Sequence, residues 1–212
     1  MNGSEIKTFV EGLLDNDIID NDIFTSLYNS EKDEIEGLRD WEFLKKVDET
    51  QSAGSGAKTL PTDFRSPLWL FIGSDTTPYP QVPFEQKYIF TSGARGWYLD
   101  MRAGTYYILG NSSGGVIRLF YLYQTPDLTL SDSPVWPSRY HKLLGYRIAE
   151  KAYALMQEQR GLSWDDKWKI AGDTLLNSMI AWDESLKKRA RDNGLTPYDL
   201  QNGADTYDLG RL

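Results

Sequence analysis

The stretch YLYQTPDLTLSDSPVWPSRYHKLLGYRIAEKAYALM, residues 121–156, constrains the fold more than any other part of the chain. Tyr121 to Gln124 close an apolar run with strand character. Pro126 and Pro137 then bar helix from the segment between them, because a proline lacks the N–H a helix needs and pushes its predecessor into extended backbone. From Tyr140 the apolar residues Tyr140, Leu143, Leu144, Ile148, Ala152 and Leu155 recur at helical steps, which predicts a helix over about 138–159 that ends at Gly161. A strand therefore hands over to a long helix through a turn-rich bridge.

The same periodicity predicts three further helices. Ile6, Phe9, Val10, Leu13 and Leu14 share one face behind Ser4 as N-cap, which gives a short amphipathic helix over 5–15. After a turn at Asp15–Asp20, the stripe Ile23, Phe24, Leu27, Tyr28, Ile35, Leu38 and Trp41 predicts helix over about 21–48, with Ser30 and Asp33 able to restart it as a capping box. Ser163 and Asp166 resemble another capping box. Behind them Trp164, Trp168, Ala171, Leu175, Met179, Trp182 and Leu186 predict helix over about 163–191, whose last-turn Lys187-Lys188-Arg189 complements the helix dipole and is read as solvated.

Between these helices the pattern changes. Gln51–Lys58 (QSAGSGAK) is a small, flexible break, and residues 59–124 mix Pro, Gly and aromatics in short alternating runs that suit strands. The clearest element is a predicted hairpin that pairs Thr105–Leu109 with Val116–Tyr123 across the glycine-bearing loop Gly110–Gly115. Both faces of the second run are apolar, so it belongs inside a sheet or under a helix. The last segment, GLTPYDLQNGADTYDLGRL, has no period that could bury a face, yet Tyr198, Leu200, Tyr207 and Leu209 are apolar anchors spaced along a tail that could reach about 60 Å. That spacing suits a peptide docking on another subunit. The expected fold is α+β: mainly a bundle of long helices (1–50 and 125–192), an inserted small antiparallel β domain (59–124) and an extended docking tail (193–212).

Composition excludes several function classes. The sequence holds no Cys and one His, so disulfide frameworks, thiolate metal sites and Cys nucleophiles are out, and His141 alone makes no zinc cluster. With 31 acidic against 23 basic residues and a net charge of −8, tight binding to a phosphate backbone or an anionic membrane is disfavoured. No apolar run approaches the roughly 18 residues of a membrane span, and the N-terminal residues lack a signal-peptide layout, so a soluble, unprocessed chain with no membrane partner is expected. The aromatic content of 13%, with seven Trp and thirteen Tyr, serves cores and subunit interfaces equally.

Candidate chemistry is sparse. The acid pairs Asp15/Asp17, Asp20/Asp22, Asp127/Asp132, Asp165/Asp166 and Asp205/Asp208 fall in turns or helix starts, where Asp belongs structurally. A glycosidase would need two carboxylates held at a set distance in a cleft. Asp15-Asn16-Asp17 lacks the Gly and terminal Glu of a calcium loop. Gly93-Ala94-Arg95-Gly96 and Ser112-Ser113-Gly114-Gly115 match no phosphate-binding motif. His141, in the first turn of its helix, reads as a polar surface or capping residue. No catalytic residue, metal ligand or cofactor is expected, which shifts weight to a structural or binding role.

Several pieces, in order, resemble a known family: Arg39-Asp40-Trp41-Glu42-Phe43-Leu44, Leu60-Pro61-Thr62-Asp63-Phe64, a Tyr106-Tyr107-Ile108 strand, and the bridge from Pro126 through Pro134, Pro137 and Tyr140. Together they are similar to the head-to-tail adaptor (connector, tail tubular protein A-like) proteins of tailed bacteriophages. The resemblance implies a virion protein, assembled in the host cytoplasm, of which twelve copies form a ring beneath the portal. Such a ring would extend the DNA channel, receive the tail nozzle or tube below, and let double-stranded DNA pass as cargo. It marks Trp41, Leu60, Pro61, Asp63, Phe64, Pro134, Pro137 and Tyr140 as family-motif positions, and gives Tyr198, Leu200, Tyr207 and Leu209 the portal as their docking partner. A carbohydrate- or receptor-binding module of the virion, and a cell-wall glycosidase, are the alternative readings.

Overall fold

A computed structural model describes residues 1–88, 95–110, 114–156 and 165–192. It divides into two units: Met1–Phe43 with Thr125–Lys187, and Leu44–Gln124 with Lys188–Leu212.

The first unit is helical. Helix α1 (Gly3–Leu13) starts two residues earlier than the Ser4 cap predicts. Asn2 is the cap: its side chain accepts from Glu5 N, and the Glu5 carboxylate accepts in return from Asn2 N, which satisfies two otherwise orphaned donors. Helix α2 (Asn21–Gly37) is capped by Asp20, which accepts from Asp22 N and Ile23 N. It runs through Ser30–Asp33 with no restart. Helix α3 (His141–Met156) follows a 3-10 turn at Ser138–Tyr140, and α4 spans Asp165–Asp192. The Ser163/Asp166 cap and Trp164 bear on residues outside those described.

Two contacts fix how close α1 comes to its neighbours. A Cβ on Gly145 of α3 would sit 2.5 Å from the Phe9 ring, and one on Gly3 would sit 2.9 Å from Leu130 Cα of the bridge. Both glycines are there because there is no room for a side chain. The stripe of α3 is buried as expected at Leu143, Leu144, Ile148 and Ala152, but Leu155 is 69% exposed.

The second unit is built from strands β1 (Lys45–Asp48), β2 (Lys58–Thr59), β3 (Phe64–Ile72), β4 (Gly96–Asp100), β5 (Thr105–Leu109) and β6 (Ile117–Tyr123). They form two three-stranded antiparallel sheets, β1-β6-β3 and β2-β5-β4. One apolar core draws on both: Leu70, Ile72, Ile117, Leu119 and Tyr121 from the first, and Trp97 and Tyr106 from the second, with Tyr79 between. Strand β6 lies at the centre of its sheet, as its two apolar faces require. Pro67 sits in β3 beside a register shift, where a missing N–H costs least.

Two expectations are overturned. The protein is not a bundle of long helices with a small insertion: four helices among the described residues stand beside two sheets. The predicted helix over 21–48 ends at Gly37, because the indole of Trp41 turns back to donate to Ile35 O at 2.9 Å, and Lys45–Asp48 then pairs with Leu119–Leu122. Tertiary pairing outweighs the helical stripe there. Nor do Thr105–Leu109 and Val116–Tyr123 form a hairpin. They lie in different sheets, β5 pairing with β4 and β2, and β6 with β1 and β3.

Candidate interaction surfaces

The stretches that carry the resemblance form clasps. In the first unit, Arg39 stacks on the Trp41 ring at 5.3 Å and reaches Asp183 of α4 at 3.3 Å, with Glu184 hydrogen-bonded beside it. Asp183 is fully buried; it accepts from Glu42 N at 2.8 Å and pairs with Lys187 at 3.1 Å. Lys187 also donates to Asp40 O at 3.3 Å, so this member of the basic run is an anchor and not a solvated charge. Phe43 stacks with Trp41 and Trp182 and tilts against Trp136. Residues 39–43 thus lock α4 to the end of α2 through side chains.

The bridge is the second clasp. Lys32, buried in α2, donates to Thr125 O and Pro126 O, while both oxygens of buried Glu36 accept from the Thr125 hydroxyl, at 2.9 and 2.8 Å. Asn29 accepts from Leu128 N and donates to Leu128 O. Gly3 N and Ser4 N donate to Asp132 O and Leu130 O. Thr129 holds the Asp132 carboxyl below the usual carboxylate range with bonds from its hydroxyl and N–H. Pro134 and Trp136 are buried, and the Tyr140 hydroxyl donates to Ser178 O. His141 is buried too, its Nε2 2.9 Å from Trp136 O and its Nδ1 2.8 Å from Met1 O, so it is not a surface group; its backbone N–H closes the 3-10 turn on Ser138 O. With these groups paired, a segment without helix or strand is held rigid.

The third clasp lies in the second unit. Leu60 N donates to Gly104 O, Phe64 N donates to Pro61 O, and the Phe64 ring stacks on Tyr121 at 5.7 Å. The Asp63 carboxylate accepts from Lys46 at 2.7 Å and the Tyr121 hydroxyl at 2.9 Å, and its backbone O takes Gln124 N. Burial pushes this carboxyl up, but the bonds from Lys46 and Tyr121 outweigh it and hold the group below its ordinary value. Elsewhere burial wins: it raises Glu31 of α2 above the ordinary range despite its ion pair with Lys151 of α3.

One surface is not a clasp. On the face of the β4–β5 pair that turns away from the core, Tyr98 lies flat on its cross-strand partner Tyr107, centroids 4.9 Å apart and planes 8° off parallel. Phe84 meets Tyr98 edge-on at 5.8 Å. The Lys87 ammonium sits over Phe84, Tyr88 and Tyr98 at 3.9, 4.9 and 5.8 Å. Phe84 is 40% and Tyr88 86% exposed. The sheet's β4 edge is covered, since Trp97 N donates to Pro80 O and Val82 N to Trp97 O. Sequence reading missed this slab because it paired β5 with β6, and Tyr98 meets Tyr107 only through the β4 pairing. The anchors Tyr198, Leu200, Tyr207 and Leu209 lie outside the described residues.

Among the described residues no three His, Cys, Asp or Glu side chains are grouped to hold a metal ion. No described helix is long and apolar enough to cross a membrane. Tightly paired loops within each unit, and an exposed aromatic slab on the second, fit a structural, surface-recognising class of protein. The model of the SU10 adaptor protein family matches residues 1–197, and the chain belongs to that family, a phage head-tail adaptor family. It is a phage structural adaptor, a component of the virion. A comparison with curated proteins gives no match.

Proposed function

We propose that the protein closes into a ring in the neck of the virion, twelve copies by the resemblance, that joins the portal to the tail nozzle or tube and continues the DNA channel. The match to a head-tail adaptor family over residues 1–197 carries the reading. The clasps support it: each of the two units ties its motif residues down by hydrogen bonds and ring contacts, which leaves firm surfaces for the heterologous contacts that close a ring. The net charge of −8 suits a conduit, because an acidic wall repels the phosphate backbone and lets DNA slide. The segment 193–212, with Tyr198, Leu200, Tyr207 and Leu209, is the docking arm to a neighbouring protein of the neck. Cutting the chain after Asp192 tests the arm. Thermal stability should persist while attachment to portal rings is lost, and undiminished attachment would remove the arm from the account.

A further inference from the structure

The acceptor for that arm is legible in the chain itself. The segment 193–212 carries one tripeptide twice, Tyr198-Asp199-Leu200 and Tyr207-Asp208-Leu209, each a ring followed by a carboxylate and an aliphatic side chain. Three aspartates stand there against one arginine. The slab of the second unit offers the complementary groups: a flat tyrosine pair, the exposed ring of Phe84 edge-on to Tyr98, and the Lys87 ammonium held over Phe84, Tyr88 and Tyr98. Among the described residues Lys87 has no carboxylate partner, so its contacts are to rings alone.

We infer that the slab Phe84–Lys87–Tyr88–Tyr98–Tyr107 is a docking site for a Tyr-Asp-Leu repeat from the C-terminal segment of a second copy of this chain. This rests on the ring-and-arm reading above and names its acceptor. The tyrosine ring extends the Tyr98/Tyr107 stack, the aspartate pairs with Lys87, and the leucine covers the exposed edge of Phe84 or Tyr88. Twenty residues extended span at most about 66–72 Å, enough to cross onto a neighbouring protomer. The family match ends at residue 197, just before the first repeat. Both repeats thus lie outside the matched span.

The chain has no cysteine of its own, which permits a direct test with the full-length protein. Glu85→Cys places a thiol beside Phe84 at the slab, and Gln201→Cys places one beside the first repeat. A bismaleimide added to a mixture of the two single variants can join only different copies. A covalent dimer in the mixture, absent from either variant alone, is expected. Tyr107→Ala or Lys87→Glu should lower its yield roughly 2- to 12-fold, the range one aromatic contact supports. If instead the mixture gives no dimer and the double variant closes on itself, the repeat docks in its own chain and the second-copy assignment is wrong. If neither links, yet cutting after Asp192 still abolishes attachment to portal rings, the acceptor is the portal and the inference fails while the arm survives. If neither links and the cut chain attaches fully, both fall.

Discussion

Removing the Asp183 carboxylate should weaken the protein by about 2–3 kcal/mol. The group is 0% exposed and carries three contacts that nothing else supplies in full: Glu42 N at 2.8 Å, Lys187 at 3.1 Å and Arg39 at 3.3 Å. Breaking a fully buried ion pair costs roughly 3–5 kcal/mol. Here the two cations are 21% and 27% exposed and both still reach Glu184, so water and that second carboxylate recover part of the loss. The orphaned Glu42 N–H adds about 1 kcal/mol. Asp183→Asn keeps an acceptor for that N–H and should lose only about 1–2 kcal/mol. For a chain of this length the Ala change should lower Tm by roughly 4–12 °C. Urea titration followed by tryptophan fluorescence is the assay, since Trp41 and Trp182 flank the clasp through Phe43. A midpoint for Asp183→Ala within experimental error of the parent chain would refute the idea that this carboxylate fastens α4.

Other variants probe other joints. Leu144→Ala, at a fully buried position, should cost about 2–5 kcal/mol, and Trp168→Ala, which removes the edge contact to Tyr153, about 3–5 kcal/mol, both read by calorimetry. Gly145→Ala places a methyl 2.5 Å from the Phe9 ring and should lose about 1–3 kcal/mol, which Phe9→Leu in the same chain should partly restore. Asp63 has a depressed folded-state pKa, so the stability it contributes is present above its unfolded value near 3.8 and is lost as pH falls through the lower folded value. Acid titration of Asp63→Asn should therefore show a weaker loss in that window, and a curve parallel to the parent's would contradict the clasp. Incubation with peptidoglycan should give no turnover; turnover abolished by neutralising a single carboxyl would make the protein a lytic enzyme.

The helices were legible because a face buried every three or four residues leaves its trace in the sequence, and α3 begins within a few residues of that trace. The stripe that ran on through Leu38 and Trp41 misled for a physical reason. Trp41 is buried by folding back on Ile35, which helical continuation would forbid, and Lys45–Asp48 takes its structure from a strand more than seventy residues away. The false hairpin has the same origin. Loop chemistry at Gly110–Gly115 signals a reversal but not which strand receives the chain, and non-local pairing chose otherwise. For the surfaces, the motif positions were visible as a resemblance, but their role as clasps depends on partners such as Asp183 and Tyr121, far away in the chain. The slab was missed for a different reason: its two tyrosines are close in sequence but become neighbours only through the β4–β5 pairing, which the expected pairing of β5 with β6 displaced.

Ring assembly on the portal is the central property of the proposed adaptor. Electron microscopy of the purified full-length protein mixed with portal rings of the same phage measures it most directly. A closed ring of adaptor density, coaxial with the portal and continuing its channel, is the predicted result. A protein that stays monomeric at every concentration and leaves the portal rings bare would contradict it.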